Sequence, residues 1–286
     1  MLPRGLHLLP VALSLALVGC GEMDSDAGPS QAPVASENGL KTINGIKTIN
    51  GIKTTNGIKT INGLSAIDNL SSSGDLMNTA DGRTQVSYLV RCALAAGHSI
   101  TKQDQYGVNY TFQGLLGMAP DWENNACGQT CQEDMSACLL AHINTAGVHI
   151  PLWLVSNNAS VGWGQDPNYP NQEAAFFGNI FVLGAHGTDS TVAPAYYCTG
   201  AKYNVNPPSG RIGSAQTSPP YVNVYGAQYA SCAPCTAADY PHQGDGWKAC
   251  NGWNSVVTAW RQNTSSSSQT DPEPTSGGAG HGYHWH

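Results

Sequence analysis

The chain has 286 residues, of which only 11% are charged, and its 19 acidic and 12 basic side chains give a formal net charge of −7. It has no Lys/Arg cluster of the kind phosphate binding needs, which argues against a nucleic-acid partner. A charged fraction well below the usual quarter or so means that solubility rests on hydroxyl and amide side chains.

The N-terminus carries one early cation, Arg4, followed by a weakly polar to apolar run from Leu8 to Val18. This reads as a secretory leader. At about eleven residues the run is too short to cross a hydrocarbon core as a helix, which takes about twenty. It closes on Leu17-Val18-Gly19-Cys20, and these four residues resemble the motif that ends the signal sequence of bacterial lipoproteins. The resemblance implies a signal peptide over residues 1–19, cleavage before Cys20 and diacylation of the Cys20 thiol. It also implies a chain held by its lipid on a membrane of the cell envelope, facing the periplasm or the exterior. One acyl chain gives marginal membrane binding, and two or more give stable anchoring. The alternative is an ordinary secretory signal cut elsewhere, with Cys20 incidental.

Residues 20–37 are small and acidic, contain Pro29 and Pro33, and have nothing from which to build a core, so they read as a tether. Over residues 38–74 a hexapeptide then recurs: Asn38-Gly39-Leu40-Lys41-Thr42-Ile43, again from Asn44, Asn50 and Asn56, and in degenerate form from Asn62 to Ile67. The period is even, so in an extended chain each position keeps its face. Three readings stay open for this segment: a flexible or loosely β spacer, β structure leaning on the following domain, or a self-associating segment with its lysines as gatekeepers.

A globular domain is expected over residues 75–262, with α+β architecture: two N-terminal helices, then a mainly antiparallel sheet with long loops. Val86, Leu89, Val90 and Leu94 have helical spacing, and Gly97 stands where such a helix would stop. His98 to Gln113 reads as a hairpin turning near Gln105-Tyr106-Gly107. A second helix is expected over Thr130–Thr145, with Thr130 and Glu133 as a capping box. Strands are expected at His149–Val155, Ala174–Leu183, Pro194–Cys198, Tyr221–Tyr225 and Ser255–Arg261. Residues 263–286 read as a disordered tail tipped by histidines.

Besides Cys20 there are eight cysteines, Cys92, Cys127, Cys131, Cys138, Cys198, Cys232, Cys235 and Cys250, all inside the proposed domain. An even number in an exported chain reads as disulfides, whose connectivity sequence alone does not choose. Cys131 and Cys138 share one face of the second helix, and one of them paired with Cys92 on the first is the preferred staple. Cys232-x-x-Cys235 also has the spacing of redox and zinc sites, with Cys127-x-x-x-Cys131 an imperfect second zinc pair.

Four residues are weak catalytic candidates. His186 and Asp189 lie in a Gly/Ser/Thr loop after an apolar strand, although residues so close in a loop seldom arrange themselves as a catalytic triad requires. Asp166 and Glu173 lie around Trp163 and Tyr169, and a glycosidase needs two carboxyl groups about 5 to 10 Å apart. Trp153, Trp163, Trp247 and Trp253 could line a carbohydrate-facing surface; the alternative is that they pack in the core. His98, His142, His149 and His242 are scattered and read as structural. His281, His284 and His286 are candidate ligands for zinc, nickel or copper on the tail. No resident cofactor is expected.

Taken together, the Leu17-to-Cys20 motif, the Asn-Gly-Leu/Ile repeats, Ser87-Tyr88-Leu89-Val90-Arg91-Cys92-Ala93-Leu94, Ser136-Ala137-Cys138-Leu139-Leu140 and Phe176-Phe177-Gly178-Asn179-Ile180-Phe181 resemble a group of envelope lipoproteins from myxobacteria and their relatives. That resemblance implies a location and no activity. The sequence therefore points to a lipid-anchored envelope protein whose ectodomain binds or builds, with carbohydrate or another envelope polymer as partner. The alternative is a hydrolase acting on such a polymer.

Overall fold

Val256-Val257-Thr258-Ala259-Trp260-Arg261 shows no alternation of apolar and polar residues, the pattern of a strand covered on both faces. A computed structural model describes residues 35–36, 39–44, 58–66, 70, 75–143, 150–185, 193–199, 227–229 and 235–261, all within the compact unit Ala32–His286. There this segment is strand β11 (Val256–Arg261), buried at every position. It pairs antiparallel with β5 (Ile150–Ser156) on one side and β6 (Asn171–Gly178) on the other. The sheet continues outward through β7 (Ala195–Thr199) and β8 (Ala227–Tyr229) past β6, and through β2 (Gly39–Asn44) and β1 (Ala35–Ser36) past β5. All its pairings are antiparallel except β7 with β8. The architecture is α+β.

The helices cover one face. Thr79 caps helix α2 (Ala80–Ala93), its hydroxyl accepting from the Gly82 N–H at 3.0 Å, and Val86, Leu89 and Val90 turn inward. A short helix, α1 (Asp75–Asn78), precedes it. The helix ends before Gly97 because another segment takes its orphan carbonyls. The N–H groups of Leu115, Leu116, Met118 and Ala119 donate to Leu94, Arg91, Cys92 and Ala93, so the chain turns away at Leu94. The hairpin is β3 (Ser99–Gln103) with β4 (Asn109–Gln113), and a 3-10 turn follows at Pro120–Glu123.

Helix α3 spans Gln129–Ala141 and packs on β6 and β11. The expected capping box does not form. The helix starts at Gln129, and Gly128 caps it without a side-chain bond. The Cys127–Cys131 bridge spans this entry and places Thr130 inside the first turn, where it cannot cap. Glu133 instead accepts from the Gln129 carboxamide at 2.8 Å. Cys92 and Cys138 staple α2 to α3, with Cα atoms 6.1 Å apart. Leu152, Leu154, Ala174, Phe176, Tyr197, Val257 and Ala259 face this helical layer.

On the opposite face the described residues form loops and a two-stranded ribbon. Trp153, Val155, Tyr169 and Trp260 form one cluster there, and Ala175, Phe177, Cys198, Cys250, Trp253 and Val256 form another. The ribbon of β9 (Thr236–Ala237) and β10 (Trp247–Ala249) lies over β11, the Trp247 N–H donating to Thr258 Oγ1 at 3.2 Å. Gly246 permits this approach, since a Cβ there would stand 2.5 Å from Thr258 Oγ1 and 3.1 Å from Val155 Cγ2.

The repeats contribute to the domain. The first one forms β2, in register with β5 from Leu40 opposite Leu154 to Asn44 opposite Ile150. The fourth and fifth place Ile58, Leu64 and, beyond the repeats, Leu70 in the core, so packing extends N-terminal of residue 75. The Cys127 N–H donates to the Thr60 carbonyl at 2.7 Å. Among the described residues no helix is long and apolar enough to cross a membrane. The leader, Cys20, the Tyr221–Tyr225 strand and the C-terminal tail lie outside the described residues.

Gly246→Ala should destabilise the domain by about 1–3 kcal/mol through overpacking against β11. Chemical denaturation checks this, and an unchanged midpoint would contradict the close approach.

Candidate functional site

The polar centre on the loop-covered face is built on Asp245. Its backbone carbonyl accepts from Trp260 Nε1 at 2.8 Å and Gln172 Nε2 at 3.4 Å, which fixes it over the sheet. One carboxylate oxygen meets His242 Nδ1 at 2.7 Å, and the other accepts from Gln165 Nε2 at 2.9 Å. Asp245 is buried and His242 half-buried. An ionised carboxylate accepts only, so the His242 proton is on Nδ1 when the ring is neutral, leaving Nε2 as a lone-pair acceptor. A buried carboxylate that fixes the tautomer of an imidazole is the orienting half of a general-base pair.

Gln165 also makes one surface of two loops. It lies in the 162–169 loop that follows β5, and its Nε2 reaches the Gly244 carbonyl at 3.2 Å as well as Asp245. Trp153 Nε1 donates to Gly164 O at 2.9 Å, and Trp163 packs on the cluster beneath. In the same loop Asp166 accepts from both the backbone and the carboxamide of Asn168, at 2.8 and 2.9 Å. Burial and the Asp166 charge push the Tyr169 phenol up to about 12. Tyr240, 86% exposed, stands beside His242 on the other loop.

The two carboxylates expected from sequence do not form a site together. Glu173 is the extra residue of a β-bulge, since Ala259 faces Ala174 while Trp260 faces Gln172. Its carboxylate lies 3.2 Å from Arg261 Nε, with both side chains almost wholly buried. Removing one partner of such a pair leaves a buried charge uncompensated, which makes Glu173 part of the framework. Asp166 makes its contacts within its own loop. His186 and Asp189 lie outside the described residues, as do Cys232 and the tail residues His281, His284 and His286.

The tryptophans also divide. Trp153 and Trp253 are buried in the two clusters and cannot present a flat face to solvent, whereas Trp163 and Trp247 are half-buried. Sequence reading missed the His242–Asp245 pair. The signal was a histidine and an aspartate three residues apart, in a turn marked by Pro241, Gly244 and Gly246.

Among the described residues, two groups of sulfur and nitrogen ligand atoms lie close enough to hold a metal ion. In one, the Cys92–Cys138 bridge sits against buried His142, whose Nδ1 is 3.9 and 3.8 Å from the sulfurs and bonds the Cys138 carbonyl at 2.7 Å. The other joins Cys198, Cys235 and Cys250. Cys235 and Cys250 are bridged, with Cα atoms 4.0 Å apart, and Cys198 is also disulfide-bonded. Cys127 and Cys131 are bridged to each other, so they make no zinc pair with Cys235.

Compared with protein-family models, with curated proteins and with solved structures, the chain matches none.

Asp134 on α3 supplies a titration test of the opposite face. Burial raises its pKa above the ordinary 3.8, against hydrogen bonds from Ser255 and Asn158, and the neighbouring Glu133 charge adds to the rise. A folded pKa above the unfolded one means that stability falls as pH rises through that interval and stays lower above it. Asp134→Asn should therefore raise the melting temperature at pH 7, with the gain shrinking as pH falls through that interval and vanishing below 3.8. A pH-independent loss in melting scans would contradict this.

Proposed function

We propose that this protein is a lipid-anchored envelope protein whose disulfide-stapled ectodomain binds a neutral, hydroxyl-rich polymer, with carbohydrate as the ligand class. The observation that carries the reading is the joining of two loops on Asp245 by Gln165. The resulting surface offers Tyr240 and Trp163 as apolar faces, with Gln165, Asp166, Asn168 and His242 as hydrogen-bonding groups. Aromatic faces interleaved with amides and carboxylates suit a polyol. They bury its C–H surface and meet its hydroxyls with both donors and acceptors.

The anchor proposal rests on Leu17-Val18-Gly19-Cys20 at the end of the leader. Cys20→Ser should move the protein from the membrane pellet to the soluble fraction of the cells that make it and abolish incorporation of labelled fatty acid. Retention in the pellet with undiminished label would contradict lipidation at Cys20.

Tyr240→Ala should weaken retention on envelope polysaccharide about fivefold or more, the loss of about 1 kcal/mol expected when an aromatic anchor is truncated. Affinity electrophoresis reads this, and unchanged retention would remove the loop surface from the account. The His242–Asp245 pair favours a hydrolase as the second reading, because it holds an imidazole as a general base is held. That reading predicts that soluble products form from the same polymer and that His242→Ala abolishes them, whereas a binding surface alone predicts no products from the unaltered protein.

A further inference from the structure

Three sulfurs meet where β7, the β9–β10 ribbon and the turn before β11 converge. Cys198 lies on the loop-covered face of β7, opposite Ala175 of β6. Cys250 sits at a bridge that exchanges both backbone hydrogen bonds with Trp253, at 2.9 and 2.8 Å. Cys235 is bridged to Cys250, and its sulfur is only 3.9 Å from that of Cys198. All three sulfurs lie within 4.8 Å of one another. Cys198 and Cys250 are fully buried among Phe177, Trp253 and Val256, whereas Cys235 is half-buried. A soluble thiol therefore has access to one sulfur of the three.

We infer that these cysteines form a disulfide relay, in which reduction of Cys235–Cys250 is passed to the bridge held by Cys198. The co-reactant is a dithiol. Its first thiolate attacks Cys235 Sγ, releasing the Cys250 thiolate, and its second thiol closes on the first, leaving as a cyclic disulfide with Cys235 reduced. The dithiol has lost two electrons and two protons, and the protein holds two thiols. The Cys235 thiolate then attacks Cys198 Sγ across 3.9 Å. A Cys198–Cys235 bond forms, the bond from Cys198 to its former partner breaks, and that partner leaves as a thiolate and takes up a proton. Thiol–disulfide exchange proceeds by this kind of attack on a neighbouring sulfur.

The test uses the full chain under native conditions. Limited treatment with dithiothreitol, an acid quench, alkylation with N-ethylmaleimide and non-reducing peptide mass spectrometry identify which cysteines are linked. The expected result is a peptide linked through Cys198 and Cys235, with Cys250 alkylated. Alkylation of Cys235 and Cys250 alone, with the original Cys198 bridge intact, would overturn the relay. So would resistance of Cys235–Cys250 to the dithiol, or loss of both bridges without the new linkage. Cys250→Ala provides an independent arm: its Cys235 should link to Cys198 without any reductant, and recovery of Cys235 as an alkylated thiol would also overturn the relay.

Discussion

The two-sided burial of β11 is the constraint on which the rest of the structure depends. A strand buried at every position must be covered twice, and this chain covers it in two different ways. On one face α3 and α2 supply a helical layer that Cys92–Cys138 ties together. On the other, the loops formed by the described residues must lie close to the backbone, which the small Gly246 allows. The polar groups of β11 follow from this burial. Thr258 accepts from the Trp247 N–H, the Trp260 indole donates to Asp245, and Arg261 faces Glu173.

That second layer determines what the protein can present. Because the Asp245 carbonyl is held by Trp260 and Gln172, its carboxylate has a set position from which to hold His242 and Gln165. Tyr240 is then carried on a short turn next to a rigid group, and the 162–169 loop is tied to the same carboxylate. The sulfur cluster lies in the neighbouring part of the layer, where Cys250 and Trp253 pack beneath Cys235. With few ion pairs available to a chain of 11% charged residues, bridges and buried aromatics hold loops that helices hold elsewhere.

Much of the fold was legible, for physical reasons that can be named. Helix α2 was visible because Val86, Leu89 and Val90 follow one helical face, and the β3–β4 hairpin because Val108, Tyr110 and Phe112 alternate before a Gly-containing turn. The α+β class followed from the order of these patterns. The use made of the repeats was not legible. Leu40–Asn44 lies in a strand on β5, whereas the closely similar residues Ile58–Asn62 turn beside Cys127, so tertiary packing rather than local preference decides between them. Glu173 looked like a candidate acid because it stands with Asp166 near Trp163 and Tyr169 in sequence, and only the bulge opposite Trp260 reveals its pairing with Arg261. The His242–Asp245 pair was hidden for the converse reason. A short turn carries no periodic signal, and its role comes from Gln165, eighty positions earlier than Asp245.

Native-state hydrogen exchange on the full chain tests most directly whether β11 is the shared support of both layers. The account predicts that the amides of Val256–Arg261 exchange only by global unfolding, together with those of α3 and more slowly than those of the β3–β4 hairpin. Exchange of the β11 amides by local opening, as fast as in the hairpin, would contradict it.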